Sequence, residues 1–143
     1  MIPRSVLIAC DAFEGLSARR VGGAIAGGLA GGGWQTDLFP TALEDDLRSE
    51  DRELLDSLDL DARMRRGRAV VLAPRRLRTP TPAATATYEI ATRARQGGVP
   101  AYVVTAENML DPFGARMFDL QLILEASDQP ALRAAGRKLA KLI

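Results

Sequence analysis

Short apolar segments alternate with stretches of helical periodicity along the whole chain. Five segments are predicted to be strands, at residues 6–10, 34–39, 69–72, 101–104 and 120–124. The first is apolar at every position, which is typical of a parallel strand covered on both faces. Strands that alternate with helices over short connections form a parallel sheet with helices on both sides. The pattern therefore predicts one domain over residues 1–143, a doubly wound Rossmann-like or flavodoxin-like α/β sandwich. We expect five mainly parallel strands in the order 2-1-3-4-5.

Polar caps, proline and glycine mark where the helices begin and end. Ser17 is predicted to cap the first helix, and the glycines at 31–33 to end it. A second helix is expected to begin at Ser49, and another at Thr81 with Pro82 in its first turn. Asp128 is predicted to cap the last helix. Residues 108–116 are expected to form a loop or a single helical turn.

The glycines within the first helix suggest a phosphate-binding loop, but their positions do not fit one. The sequence has no G-x-x-x-x-G-K-[ST] motif, and the glycines at 22, 23, 27 and 28 lie too far beyond the first strand for a dinucleotide fingerprint. Close packing of the helix against the sheet and helix termination explain them better.

Two loops are expected to face each other, because ligands of open α/β sheets bind outside the carboxyl ends of strands at the point where strand order reverses. Loop 11–17 offers carboxylates, a permissive glycine and a helix N-terminus, which can hold a phosphate. Loop 73–81 offers guanidinium groups and hydroxyls that can bind an anion. The candidate ligand-binding residues are Asp11, Phe13, Glu14, Gly15, Ser17, Arg75, Arg76, Arg78, Thr79 and Thr81. The alternative is that Ser17 is only a cap, Gly15 only a turn residue, and the arginines a solvated loop.

Composition removes several kinds of chemistry. The 143 residues include no histidine and one cysteine, so Ser-His-Asp triads, histidine metal sites, internal disulfides and cysteine-cluster metal sites are excluded. A net charge of +1 favours neither nucleic acid nor an acidic membrane as a partner. The acidic stretch 44–61 is interpreted as a solvated helix face rather than a magnesium site, and Cys10 as a small core residue. We expect no metal site, no membrane span and a cytoplasmic location.

The chain also resembles a known family. Residues 6–18, VLIACDAFEGLSA, resemble the opening of bacterial type I glycerate kinases, where a strand is followed by D-S-F-K-G-S-L-S-A. Residues 36–40, TDLFP, are similar to that family's second strand, and residues 91–104 to its A-x-x-A-x-x-x-G-x-P-V entry into a later strand. The resemblance implies the Rossmann-like domain of an ATP-dependent glycerate kinase, with ATP and Mg²⁺ as cofactors.

Departures from the family pattern change the expected function. Members are more than twice as long, because a second domain is inserted where this chain has residues 41–68. The family lysine is Glu14 here, one loop residue is missing, and two acidic family positions are Pro74 and Arg78. Phosphoryl transfer depends on positioning and on neutralising charge through Mg²⁺ and a basic clamp. We therefore expect a truncated, catalytically degenerate member that binds a small anion or phosphorylated ligand at the crevice between strands 1 and 3.

Two alternatives stay open at this point. One is an active glycerate kinase whose missing half comes from a partner subunit. The other is a non-catalytic interaction module, for example a homodimer, in which the acidic stretch 44–61 of one copy pairs with the basic stretch 63–78 of another.

Overall fold

The computed structural model describes residues 4–80 and 84–143. Its strands are β1 (Ser5–Cys10), β2 (Gln35–Pro40), β3 (Ala69–Ala73), β4 (Arg76–Leu77), β5 (Ala101–Thr105), β6 (Glu107–Asn108) and β7 (Leu120–Glu125). Five of them form one parallel sheet in the order β2-β1-β3-β5-β7. These are the five strands that the apolar segments predict, so the Rossmann-like α/β class is confirmed. The two-residue strands β4 and β6 form a separate parallel ribbon that the sequence pattern does not predict.

The helices lie on both faces of this sheet. They are α1 (Ala18–Ala30), α2 (Ser49–Ser57), α3 (Leu60–Arg65), α4 (Ala86–Gln96), α5 (Pro112–Met117) and α6 (Gln129–Leu142). Side chains on one face of β1, such as Ile8, pack under α1 and α6. Those on the other face, such as Leu7, pack with α2, α3 and α4. Two apolar layers therefore sandwich the central strands, as expected for strands that are apolar on both faces.

Three of the four predicted helix starts are confirmed, including Ser49 as the first residue of α2, and the fourth is wrong. The Ser17 hydroxyl accepts a hydrogen bond from the Arg20 amide, and the Asp128 carboxylate accepts one from the Ala131 amide. The helix expected at Thr81 begins instead at Ala86, and Thr81 and Pro82 lie outside the described residues. Thr85, just before this helix, is extended and bridges to Asp46, and the Leu47 amide donates to the Ala84 carbonyl. No helix in the described part of the chain has both the length and the apolarity to span a membrane.

The glycines of α1 allow two close approaches. A Cβ at Gly22 would lie 2.7 Å from the Cys10 sulfur, so this glycine sits against the sheet as predicted. A Cβ at Gly28 would lie 2.1 Å from the Arg133 carbonyl oxygen, and one at Gly136 would lie 2.2 Å from the Ile25 carbonyl oxygen. The second approach is therefore between α1 and α6, which cross backbone against backbone.

Candidate functional site

The loop after β1 is held in one shape by its own hydrogen bonds. The Asp11 carboxylate accepts from the Ala12 amide at 2.7 Å and from the Leu43 amide at 2.9 Å. Phe13 and Leu16 form an antiparallel bridge around a turn, and Gly15 takes a φ of +76° there, a conformation that glycine adopts without strain. The turn therefore presents the intervening side chain, Glu14, at the carboxyl edge of the sheet, where it is 89% exposed.

The arginine segment after β3 is anchored to the end of β5. The Arg75 carbonyl accepts hydrogen bonds from the amides of Ala106 and Glu107 and from the hydroxyl of Thr105, each at 3.1 Å. Thr105 is fully buried, so this anchor is shielded from water. The next residue, Arg76, pairs with Glu107 in the β4–β6 ribbon. The backbone that carries both arginines is therefore fixed by two neighbouring elements.

The two loops converge, as the predicted strand order requires. The Arg75 guanidinium lies 3.5 Å from a Glu14 carboxylate oxygen, which joins the loop after β1 to the segment after β3. Between them is a crevice of about 330 Å³, which we call the strand-end crevice. The side chains around it that carry charge or a hydroxyl belong to Glu14, Arg75, Arg76, Glu107 and Ser127.

The ion pairs of the strand-end crevice are loose. Arg76 lies 3.5 Å from Glu107, as far as Arg75 is from Glu14. Charge-assisted N–H···O hydrogen bonds measure about 2.7–2.9 Å, so neither pair is closely bonded. Pairs this exposed to solvent contribute about 0–1 kcal/mol to stability. Separating either carboxylate from its arginine therefore costs little free energy.

A smaller cavity lies on the far side of Arg76. Its volume is about 150 Å³, and its lining includes Glu44, Arg78, Thr79 and Tyr88. The Tyr88 hydroxyl donates to the Arg78 carbonyl, and burial raises the pKa of Tyr88 to about 12. Tyr88 therefore stays a neutral donor that positions the Arg78 backbone.

Glu44 is a member of this charged edge that sequence reasoning missed. Burial raises its pKa, the negative charge of Asp11 raises it further, and Arg78, Arg76 and Arg75 oppose the rise. The Glu44 carboxylate therefore interacts electrostatically with charged side chains of both predicted loops. The sequence interpretation instead places Glu44 on the solvated acidic helix face. Its position four residues after β2 was the available signal, since loops at the carboxyl ends of strands share one edge.

The structure separates the candidate residues into groups. Glu14, Arg75 and Arg76 line the strand-end crevice, whereas Arg78 and Thr79 line the smaller cavity. Phe13 borders the crevice but is only 5% exposed and packs into the core. The remaining described candidates contribute to the loop instead: Asp11 accepts backbone amides, Gly15 forms the turn, and Ser17 caps α1. Thr81 lies outside the described residues.

The donors present do not fit the magnesium–nucleotide complex that the resemblance implies. Mg²⁺ is bound by carboxylate and phosphate oxygens, and Glu14 and Glu107 each face a guanidinium. An arginine beside a carboxylate competes with a cation for it. Within the described ranges no group of three or more acidic or cysteine side chains is placed to hold a metal ion.

Comparisons with known proteins agree with the fold. No protein-family model and no curated protein sequence matches the chain. An oxidoreductase from Corynebacterium diphtheriae superposes with a TM-score of 0.58 at 12% identity, covering 100% of this chain and 98% of that one. A diflavin flavoprotein A3 from Nostoc sp. gives a TM-score of 0.53 at 13% identity, covering 99% and 94%. A de novo designed Rossmann 2x3 fold protein gives 0.50 at 13% identity, covering 99% and 91%.

These similarities define a class by fold. The chain is a Rossmann-like α/β protein with a five-stranded parallel sheet. At 12–13% identity the structural neighbours show the fold alone, so the resemblance to glycerate kinases stays a prediction from the sequence.

Proposed function

We propose that this chain binds a small organic anion in the strand-end crevice, such as a short phosphorylated acid, and does not transfer a phosphoryl group. The observation that carries the proposal is the pair of anchored arginines at the carboxyl edge of the sheet. Arg75 and Arg76 are held by their backbones, while their guanidinium groups make only loose contacts 3.5 Å from carboxylates. Such groups are free to bind a phosphate or carboxylate with two parallel hydrogen bonds.

The proposed loss of kinase activity follows from the residues at the matched positions. Glu14 stands where the resembled family has a lysine, so a positive charge facing phosphate has become negative. Pro74 is buried directly after β3 and supplies no metal ligand. Arg78 borders the neighbouring cavity where the family has an acidic residue. Together these changes replace a metal-binding edge by an anion-binding one.

A ligand screen tests the proposal. Thermal unfolding is measured with glycerate, phosphorylated three-carbon acids, inorganic phosphate, sulfate and ATP. A ligand present at roughly 100 times its Kd stabilises the folded form by about 2.7 kcal/mol, which raises Tm by roughly 8 °C in a chain of this size. We expect a short phosphorylated acid to raise Tm more than sulfate, because its carboxylate and phosphate engage both arginines.

Three variants assign the binding to the crevice. Replacing both arginines (Arg75→Gln with Arg76→Gln) is expected to abolish the ligand-induced shift. Arg65→Gln with Arg66→Gln is the matched control, because it removes the same charge from two exposed arginines at the end of α3, near the other end of β3. Glu14→Gln is expected to tighten binding, since it removes a carboxylate that competes for Arg75. An unchanged shift in the arginine variant would place the ligand elsewhere.

The catalytic half of the proposal has a separate test. Purified protein is assayed with ATP, Mg²⁺ and glycerate, with ADP release coupled to a spectrophotometric readout. We expect no turnover above the background without glycerate. Glycerate-dependent ADP release would instead support the active-kinase alternative. The anion site would still be tested separately, by the effect of the binding variants on the ligand-induced Tm shift.

A further inference from the structure

Helices on the two faces of the sheet differ in charge. Every charged side chain within α1 and α6 is basic. The outer surface of α2, on the opposite face, carries acidic side chains around exposed leucine. The basic side chains of α1 and α6 are Arg19, Arg20, Arg133, Arg137, Lys138 and Lys141. Two basic helices and one acidic helix therefore lie on opposite faces of the sheet, although the net charge of the chain is only +1.

The basic face contains a groove where the end of α1 approaches α6. Its volume is about 620 Å³, and its small side chains include Gly32 and Ala134. Arg137, Lys138 and Lys141 border it. Ala134, Arg137, Lys138 and Lys141 follow the spacing i, i+3, i+4, i+7, so they form one stripe along α6. We call this surface the basic groove.

The acidic face carries a stripe of the same spacing. Glu50, Glu53, Leu54 and Ser57 follow each other along α2 and are all exposed, whereas Leu55 points into the core. Leu54 is 52% exposed and lies beside the acidic side chains of this stripe. Glu50 and Glu53 form no ion pair with any residue in 4–80 or 84–143. We call this surface the acidic stripe.

We propose that the acidic stripe of one copy of this chain docks in the basic groove of another. Leu54 would lie over the small residues of the groove, and Glu50 and Glu53 would meet Lys138 and Lys141. The exposed Phe113 and Met117 of α5 are a poorer occupant, because Arg116 beside them would meet the same cations. Charge complementarity therefore favours α2 over α5 as the occupant.

The basic partner differs from the one that the sequence suggests. Residues 63–78 were expected to pair with the acidic stretch, but Arg63, Arg75 and Arg76 within that segment have other contacts. Arg63 bonds Asp37 through two nitrogens at 2.8 and 2.6 Å, and β3 within this segment is buried in the sheet. Arg75 and Arg76 face the crevice carboxylates. The basic groove beside α6 is therefore the proposed partner of the acidic stripe.

The two surfaces lie on opposite faces of the sheet, so the contact is head-to-tail. Such a contact leaves one free surface at each end and extends into open chains or closes into a ring. Its charges are exposed, so it weakens as salt rises. The Debye length shortens from about 30 Å at 0.01 M salt to about 3 Å at 1 M.

Sedimentation velocity with two complementary variants tests this assembly. The wild type is expected to show a mass that rises with protein concentration at low salt and to be monomeric at high salt. Glu50→Gln with Glu53→Gln removes the acidic stripe, and Lys138→Gln with Lys141→Gln removes the basic groove. Each variant alone is expected to be monomeric. Mixed in equal amounts they are expected to form dimers and nothing larger, because one intact surface of each kind remains.

A control variant and two other outcomes keep the test decisive. Arg65→Gln with Arg66→Gln removes the same charge from the end of α3 and should associate like the wild type. Unfolding midpoints of all variants establish that each is folded. A wild type that stays monomeric at low salt overturns the proposal, as does a stripe variant that associates normally. Binding of the monomeric wild type to phosphatidylserine vesicles, lost in the groove variant, would assign the groove to an anionic membrane and also overturn it.

Discussion

The crossing of α1 and α6 makes Gly28→Ala the most informative single substitution. An added Cβ would lie 2.1 Å from the Arg133 carbonyl oxygen and 2.6 Å from the Arg137 amide nitrogen. Both obstacles are backbone atoms of α6, so no side-chain rotation relieves the clash. An ordinary carbon–oxygen contact needs well over 3 Å, so the two helices must move apart by about 1 Å. This separation loosens the packing along the whole line of contact between α1 and α6, which we call the seam.

Two opposing effects set the size of the change. Alanine is favoured over glycine in a helix by about 0.8–1.0 kcal/mol. Overpacking of a close contact costs about 1–3 kcal/mol, and a contact against backbone lies at the upper end of that range. We expect a net loss of about 2 kcal/mol in the free energy of unfolding, with Tm lowered by roughly 6–8 °C.

Gly23→Ala is the matched control in the same helix. A Cβ there meets nothing within 4 Å, so only the propensity gain of about 0.5–1 kcal/mol applies and the variant is expected to be more stable than wild type. Urea unfolding is followed by fluorescence of Trp34, the chain's single tryptophan, whose indole N–H donates to the Ala140 carbonyl across the seam. If Gly28→Ala is as stable as Gly23→Ala, the inferred crossing of α1 and α6 is wrong.

Two further predictions concern the carboxyl end of β1. Burial raises the pKa of the Cys10 thiol from 9.0 to about 11, so the unfolded chain loses this proton first. The thiol's contribution to stability is full below pH 9 and is lost as pH rises towards 11, and Cys10→Ala should flatten that part of the stability profile in urea titrations. Asp11→Ala leaves the Leu43 amide without its acceptor and should cost about 1–3 kcal/mol. Faster hydrogen exchange at Leu43 checks it, and unchanged exchange would contradict the assigned bond.

The central strands β1, β3 and β5 were predictable because each is a short apolar segment, which is typical of a strand buried on both faces. The parallel direction of the strands also followed from their alternation with helices. The start of α4 was not predictable, because Thr81 and Pro82 form a good local start signal. That signal is overridden by pairing of residues 84–85 with residues 46–47, a contact almost forty positions away along the chain. Helix propensity reflects only a residue and its neighbours in the sequence, so it does not predict contacts between distant segments.

The candidate site was predictable only in part, for a related reason. The loops of Glu14 and Arg75 follow strands that the pattern identifies, and neighbouring strands bring their ends together. Strands β4 and β6 are two residues long, too short for any periodicity, yet they set where Arg76 and Glu107 lie. Glu44 belongs to the site through charge rather than through a motif. Residues that reach a site only through tertiary structure are not identified by any local sequence motif.

The structural neighbours bear on how far fold can support function. One of the three is a designed protein, so this arrangement of strands and helices forms without an inherited activity. Two others are described as an oxidoreductase and a flavoprotein, at identities where fold and function separate. The chemistry of this chain must therefore be argued from its own carboxyl edge, where arginines with anchored backbones lie 3.5 Å from exposed carboxylates. The effect of Glu14→Gln on ligand affinity therefore tests the proposed anion site more directly than any fold comparison does. A structural ion pair predicts no gain in affinity, whereas a competing carboxylate predicts one.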